Sequence, residues 1–185
     1  MGGFVTCHPY SLVAVTLALT ACGTGGTGRE VAVTAPASSS ASASARDHAW
    51  LVAIHQSGLA DIQYGKLAER KGATIAVRGA GSKLATDHGA FDKMVVRVAD
   101  GLGVELPVSE RAGRLDEARR LEMESGSRFD RDFVATMADE HRKSIAGAEA
   151  EVRDGTSPEV IALARAALPA LRGHLDMLRK ASPVG

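Results

Sequence analysis

Four stretches of this chain repeat an apolar residue every three or four positions for about seven turns each, and that spacing constrains the fold more than any other feature. An α-helix gathers such positions on one face, and a helix that long buries its stripe against other helices. The first stretch covers 47–71, where Trp50, Ala53, Ser57, Asp61, Tyr64 and Ala68 share a stripe and Gly72 closes the helix. The second covers 74–102, with Val77, Gly81, Leu84, His88, Phe91, Val95 and Val98 on its stripe; Gly101, Gly103 and Pro107 stop it. The third covers 128–154, with Phe129, Phe133, Met137, His141, Ile145 and Ala148 on one face, and Ser127 and Asp130 open it as a Ser-x-x-Asp capping pattern. The fourth opens at Ser157-Pro158-Glu159, with Ser as N-cap and Pro at the first helical position, and carries Val160, Leu163, Ala167, Leu171, His174 and Leu178. Pro169 inside it predicts a kink. Between the second and third helices, residues 104–125 form a long connection with one short amphipathic helix near 110–123, which turns Leu115, Ala118 and Leu121 toward the protein.

Four such helices predict an all-α chain built as a four-helix bundle over 47–181, with one short extra helix in the long connection. Simple up-down and crossover topologies both suit the spacing. Aromatic residues are only 4% of the chain, so Leu, Val, Ile and Ala must fill the core. Lys plus Arg and Asp plus Glu number 22 each, so the formal net charge is zero. That excludes a nucleic-acid binder, which needs a basic face to displace counterions, and a polybasic membrane-surface domain. The glycines of Arg78-Gly-Ala-Gly-Ser82 lie inside a helix rather than after a strand, so they make no dinucleotide loop. With no nucleophile triad, phosphate loop or cofactor fingerprint, an enzyme is not the expectation.

Ahead of the bundle, Ser11–Ala21 is an apolar run of roughly eleven residues, too short for a bilayer, which takes about 20. It fits the core of a signal peptide, 1–21, ending in Leu19-Thr20-Ala21-Cys22. That ending resembles the lipobox of bacterial lipoproteins, and the resemblance implies acylation of Cys22 and a membrane held through that lipid. No Lys or Arg precedes Arg29, so a start upstream of Met1 and an inefficient signal are both open. A disulfide between Cys7 and Cys22 is the plainer alternative use of the two cysteines. Residues 22–46, rich in Ala, Ser, Thr and Gly, read as a flexible tether that cannot bury enough apolar surface to fold. The expected location is the cell envelope.

The chemistry concentrates on four residues. Asp61, His88, His141 and His174 each interrupt the apolar stripe of a different long helix. A buried carboxylate or imidazole costs several kcal/mol unless it is paired, so four intrusions suggest that they meet. At about 1.5 Å per residue they fall at similar heights along the bundle, which brings two or three within contact. Three His and a carboxylate suit a transition-metal ion such as zinc, copper or iron. The alternative is a polar core that sets helix register, without metal. Asp87 and Glu140 adjoin His88 and His141 but point about 100° away, so a helix–helix seam suits them better; Asp92, one turn past His88, is its candidate partner. His48 reads as solvated and His55 as lying on a flank. The Glu-x-x-His pairs of di-iron carboxylate bundles are missing, so ferroxidase chemistry ranks third.

The segments Gly58–Ala68, Thr86-Asp-His88, Phe129–Phe133, Glu140-His141 and Leu168-Pro-Ala-Leu-Arg-Gly-His174, in that order, resemble the domain of unknown function 4142 family. The resemblance covers 49–180 and implies an exported, ferritin-like four-helix bundle of the kind often labelled outer-membrane proteins. Asp61 stands where that family usually has Glu, and Phe133 where Tyr is common. The resemblance implies fold, export and a suspected site, but no activity.

Overall fold

The structure is a computed structural model that describes residues 43–109 and 112–182; the signal segment, Cys7, Cys22 and almost all of the tether lie outside the described residues. Among the described residues the chain forms five helices and no strand: α1 (Ala45–Lys71), α2 (Ile75–Leu102), α3 (Ala112–Glu122), α4 (Gly126–Asp154) and α5 (Pro158–Ala181). The all-α expectation holds, and the short helix falls in the long connection. None of these helices is long and apolar enough to cross a membrane.

Two buried carboxylates lock the ends of the bundle. α1 begins two residues before the periodicity placed it, because Ser44 and Asp47 form a reciprocal capping box: Asp47 N–H donates to Ser44 Oγ at 3.2 Å and Ser44 N–H to Asp47 Oδ2 at 2.8 Å. Asp47 also accepts from Thr156 N–H at 2.9 Å, from the Thr156 hydroxyl at 2.6 Å and from Ser157 N–H at 3.2 Å. One fully buried side chain therefore caps the starts of both α1 and α5. Burial works against its charge, but the bonds from Thr156 and Ser44 outweigh burial and hold it well below the usual carboxylate range. Glu151 lies against Asp47, and burial, then Asp47, pushes its carboxyl up to about 7.

Asp130 plays the same part at the other end, and here the expected cap was wrong. Its two oxygens accept from Ala73 and Thr74 N–H at 2.8 and 2.9 Å. α4 instead opens at Ser125 with no side-chain cap bond, and Gly126 takes a left-handed φ of 61°. A local cap would have satisfied one donor of α4; reaching across satisfies two at the α1–α2 turn. The Ser157 cap of α5 forms as the sequence indicates, with Val160 N–H donating to its Oγ, and α5 runs through Pro169 as one helix.

These ties determine the topology. The start of α1 is level with the α4–α5 turn, and the α1–α2 turn is level with the start of α4. So α1 and α5 run one way, α2 and α4 the other, and the connection between α2 and α4 must return along the whole bundle. It descends alongside α1: Pro107 O bonds His55, Arg114 O accepts the Tyr64 hydroxyl and Glu122 O accepts Lys71. That is the crossover arrangement, one of the two the sequence allowed. α1 packs against α2 and α4, and α5 against α4 and α2. The α1–α2 pair is the tightest: a Cβ on Gly81 would lie 2.5 Å from Gly65 O, and one on Gly65 2.6 Å from Gly81 O.

The core has two apolar clusters. Tyr64, Leu84, Phe129, Phe133, Met137 and Leu178 fill the end near the α1–α2 turn; Trp50, Leu51, Val95, Leu163 and Leu171 fill the other. α3 covers the first with Leu121 and Ala118, while Leu115, expected to face inward, is 37% exposed. Between the clusters lies a polar layer.

Candidate metal centre

The four predicted residues form that layer, one from each long helix, and all are buried. His88 Nε2 lies 3.3 Å from His141 Nε2, which lies 3.4 Å from His174 Nδ1. Ligand atoms of these three rings all fall within 4.8 Å of one another. Asp61 Oδ2 sits beside the group, 3.6 Å from His88 Nε2, and is not one of the three. The sequence allowed contact among two or three of the residues; the crossover topology brings three rings together and leaves the carboxylate adjacent.

The outer nitrogens orient two of the rings. His141 Nδ1 donates to Met137 O at 2.8 Å, and His174 Nε2 donates to Asp87 Oδ2 at 2.8 Å. When the outer nitrogen of a neutral imidazole carries the proton, the inner one presents a lone pair. Burial, then His141 and His174, pulls His88 down to about 3. Burial also pulls His141 down to about 4, against the Met137 bond, which favours the charged form. Both rings are therefore neutral at pH 7. Burial opposes the charge of Asp87, but bonds from Lys83 and His174 keep its carboxyl below the usual range. His174–Asp87 is thus a carboxylate–histidine pair of the kind that orients metal ligands.

Asp61 has a different environment. Burial pushes its carboxyl up to about 7, with Arg114 opposing and Glu140 adding. Arg114 Nη1 stands 3.9 Å from Asp61 Oδ1, while Nη2 pairs with Glu140. A narrow cavity of about 30 Å³ touches His88 and His174 from the α2–α5 side, between Phe91 and Leu171. That is about the volume of one water molecule.

Three readings of neighbours change. Asp87 sits at a helix seam as expected, but it serves the site by bonding His174 across that seam. Asp92, expected to support His88, bonds His55 Nδ1 at 2.7 Å. His55, expected on a flank, is only 6% exposed, because the crossover covers that flank and Pro107 O takes its Nε2 at 2.9 Å. His48 is exposed, as read. Arg114 was missed altogether. It sits on a short helix whose position depends on the crossover, and no periodicity marks it.

Fold and site together define a class: an all-α crossover bundle in which three helices turn one histidine each to a common point. The sequence matches the family described as Domain of unknown function (DUF4142) over residues 32–181, and the chain belongs to that family. Comparison with curated proteins finds no match. The fold is similar to the crystal structure of a DUF305 fragment from Deinococcus radiodurans, with a TM-score of 0.65, 16% identity and coverage of 75% of this chain and 96% of that one. At that identity the likeness shows a shared helical fold.

Proposed function

We propose that this protein is an exported cell-envelope lipoprotein whose ferritin-like bundle binds one transition-metal ion on His88, His141 and His174. The observation that carries the reading is the spacing of the inner nitrogens, 3.3 and 3.4 Å. Imidazole nitrogens about 2.0–2.1 Å from a tetrahedral ion stand roughly 3.3–3.4 Å apart. Ordinary hydrogen bonds from N–H are shorter, most often about 2.9–3.0 Å. His141 Nε2 and His174 Nδ1, both lone-pair atoms in their neutral rings, repel unless a cation lies between them. A register-setting core without metal would have to satisfy this row with protons. One proton on His88 serves its contact with His141 and leaves the His141–His174 contact unrelieved. An ion takes all three lone pairs at once and leaves room for a further small ligand. Three imidazoles suit zinc, copper or iron.

Elemental analysis of the protein, purified without a histidine tag and loaded with each metal in turn, tests this. Wild type should retain roughly one ion per chain and His141→Ala none. Equal retention by both, or none by either, refutes the metal reading. The envelope reading rests on Leu19-Thr20-Ala21-Cys22 and the tether that follows. Cys22→Ala should release the protein from the membrane fraction; unacylated wild-type protein found wholly in the soluble fraction would refute the anchor.

A further inference from the structure

α1 and α4 leave a cleft of about 200 Å³ between them, on the side where Arg114 of α3 crosses. Trp50, Ala53 and Ile54 supply an apolar wall, and Gly147 of α4 leaves the facing side open. Two hydrogen-bonding atoms on its lining residues, Ser57 Oγ and Arg114 Nη1, are shut off from solvent and have no hydrogen-bond partner. The nearest acceptor shown for Arg114 Nη1 is Asp61 Oδ1, at 3.9 Å too far for a hydrogen bond. Leaving two such groups unsatisfied is costly, and an acceptor placed in the cleft would relieve both. The guanidinium is already held in place, because its Nη2 pairs with Glu140.

The charges select the ligand. Arg114, Lys143 and Glu140 line the cleft, a balance of one positive charge. Glu140 is already engaged by Arg114 and, at 3.1 Å, by Lys143. An anionic acceptor therefore suits Arg114 and Ser57, and an apolar body suits Trp50 and Ile54. The volume, set against about 30 Å³ per water, holds roughly six to ten non-hydrogen atoms. We propose that the α1–α4 cleft binds a small organic carboxylate, its oxygens on Arg114 Nη1 and Ser57 Oγ and its body against Trp50. This site is separate from the histidine layer and does not depend on a metal being bound there.

Trp50 is the chain's single tryptophan, so its fluorescence reports the cleft directly. The probes are benzoate and its neutral isostere benzamide, titrated into the whole protein. Benzoate should produce a saturable change. Binding should weaken at least about tenfold for benzamide and for Arg114→Gln, the scale of one charge-assisted hydrogen bond. Gly147→Leu should abolish the response by filling the cleft; a Cβ there meets nothing within 4 Å, so this variant keeps the fold, which its melting curve verifies. An absent or non-saturating response in wild type, equal affinity for benzamide, or unchanged binding in Gly147→Leu would each overturn the proposal.

Discussion

His141→Leu separates metal binding from a purely structural polar layer. His141 is fully buried and stands between His88 and His174 at 3.3 and 3.4 Å. Leu occupies a similar volume, so no large cavity opens. In metal-free protein the change removes an imidazole that faces two others and lets apolar atoms join the clusters on either side. The cost should stay within about 1.5 kcal/mol and can take either sign. With metal at about 100 times Kd, wild type gains about 2.7 kcal/mol. For a folded region of roughly 140 residues, unfolding entropy is about 0.3 kcal/mol/K, so Tm should rise by about 9 °C. His141→Leu loses one of three ligands, and its Tm should move by less than about 2 °C. The assay is calorimetric melting of both proteins in chelator and in zinc, copper or iron at matched ratios. The reasoning is refuted if wild type shows no metal-dependent shift or if the variant shifts equally. A loss of about 3 kcal/mol or more in chelator would instead make the layer a hydrogen-bonded network that holds the bundle.

Glu151→Gln should leave stability unchanged near pH 4 and raise it near pH 8, by no more than about 3 kcal/mol in denaturant melts. Glu151 rises from 4.5 to about 7 on folding, so its contribution is full below pH 4.5 and lost as pH climbs through 7; an equal gain at both pH values would contradict this. His88 and His141 have the opposite sign, falling from 6.5 to about 3 and 4 on folding. Their contribution is full above pH 6.5 and lost on acidification, so metal-free His141→Leu should show a shallower loss between pH 6 and 4 than wild type. Gly81→Ala should destabilise by roughly 1–3 kcal/mol despite better helix propensity, since its Cβ would meet Gly65 O at 2.5 Å. Gly173→Ala, with nothing within 4 Å of its Cβ, should stabilise by about 0.5–1 kcal/mol; the same sign for both would remove the close-approach argument.

The sequence alone determined the helices and the candidates for the site. Stripe spacing, Gly72, Gly155 and the Ser157-Pro158 start are local signals, set by backbone hydrogen bonding within a turn or two, and they placed the long helices within a few residues. Asp61, His88, His141 and His174 stood out for the same local reason, as polar residues on faces that burial would otherwise keep apolar. What local spacing could not carry was the partner of each polar group. Asp130 matches a cap for its own helix yet bonds Ala73 and Thr74, and Asp92 leaves His88 for His55. Asp87 reaches His174, 87 positions along the chain. Such choices depend on which helices become neighbours, and that depended on the crossover, whose course along α1 also brought Arg114 over Asp61. Only the tertiary structure decided the convergence of three imidazoles with Asp61 beside them, because helix length and periodicity set which face is buried and not which faces meet.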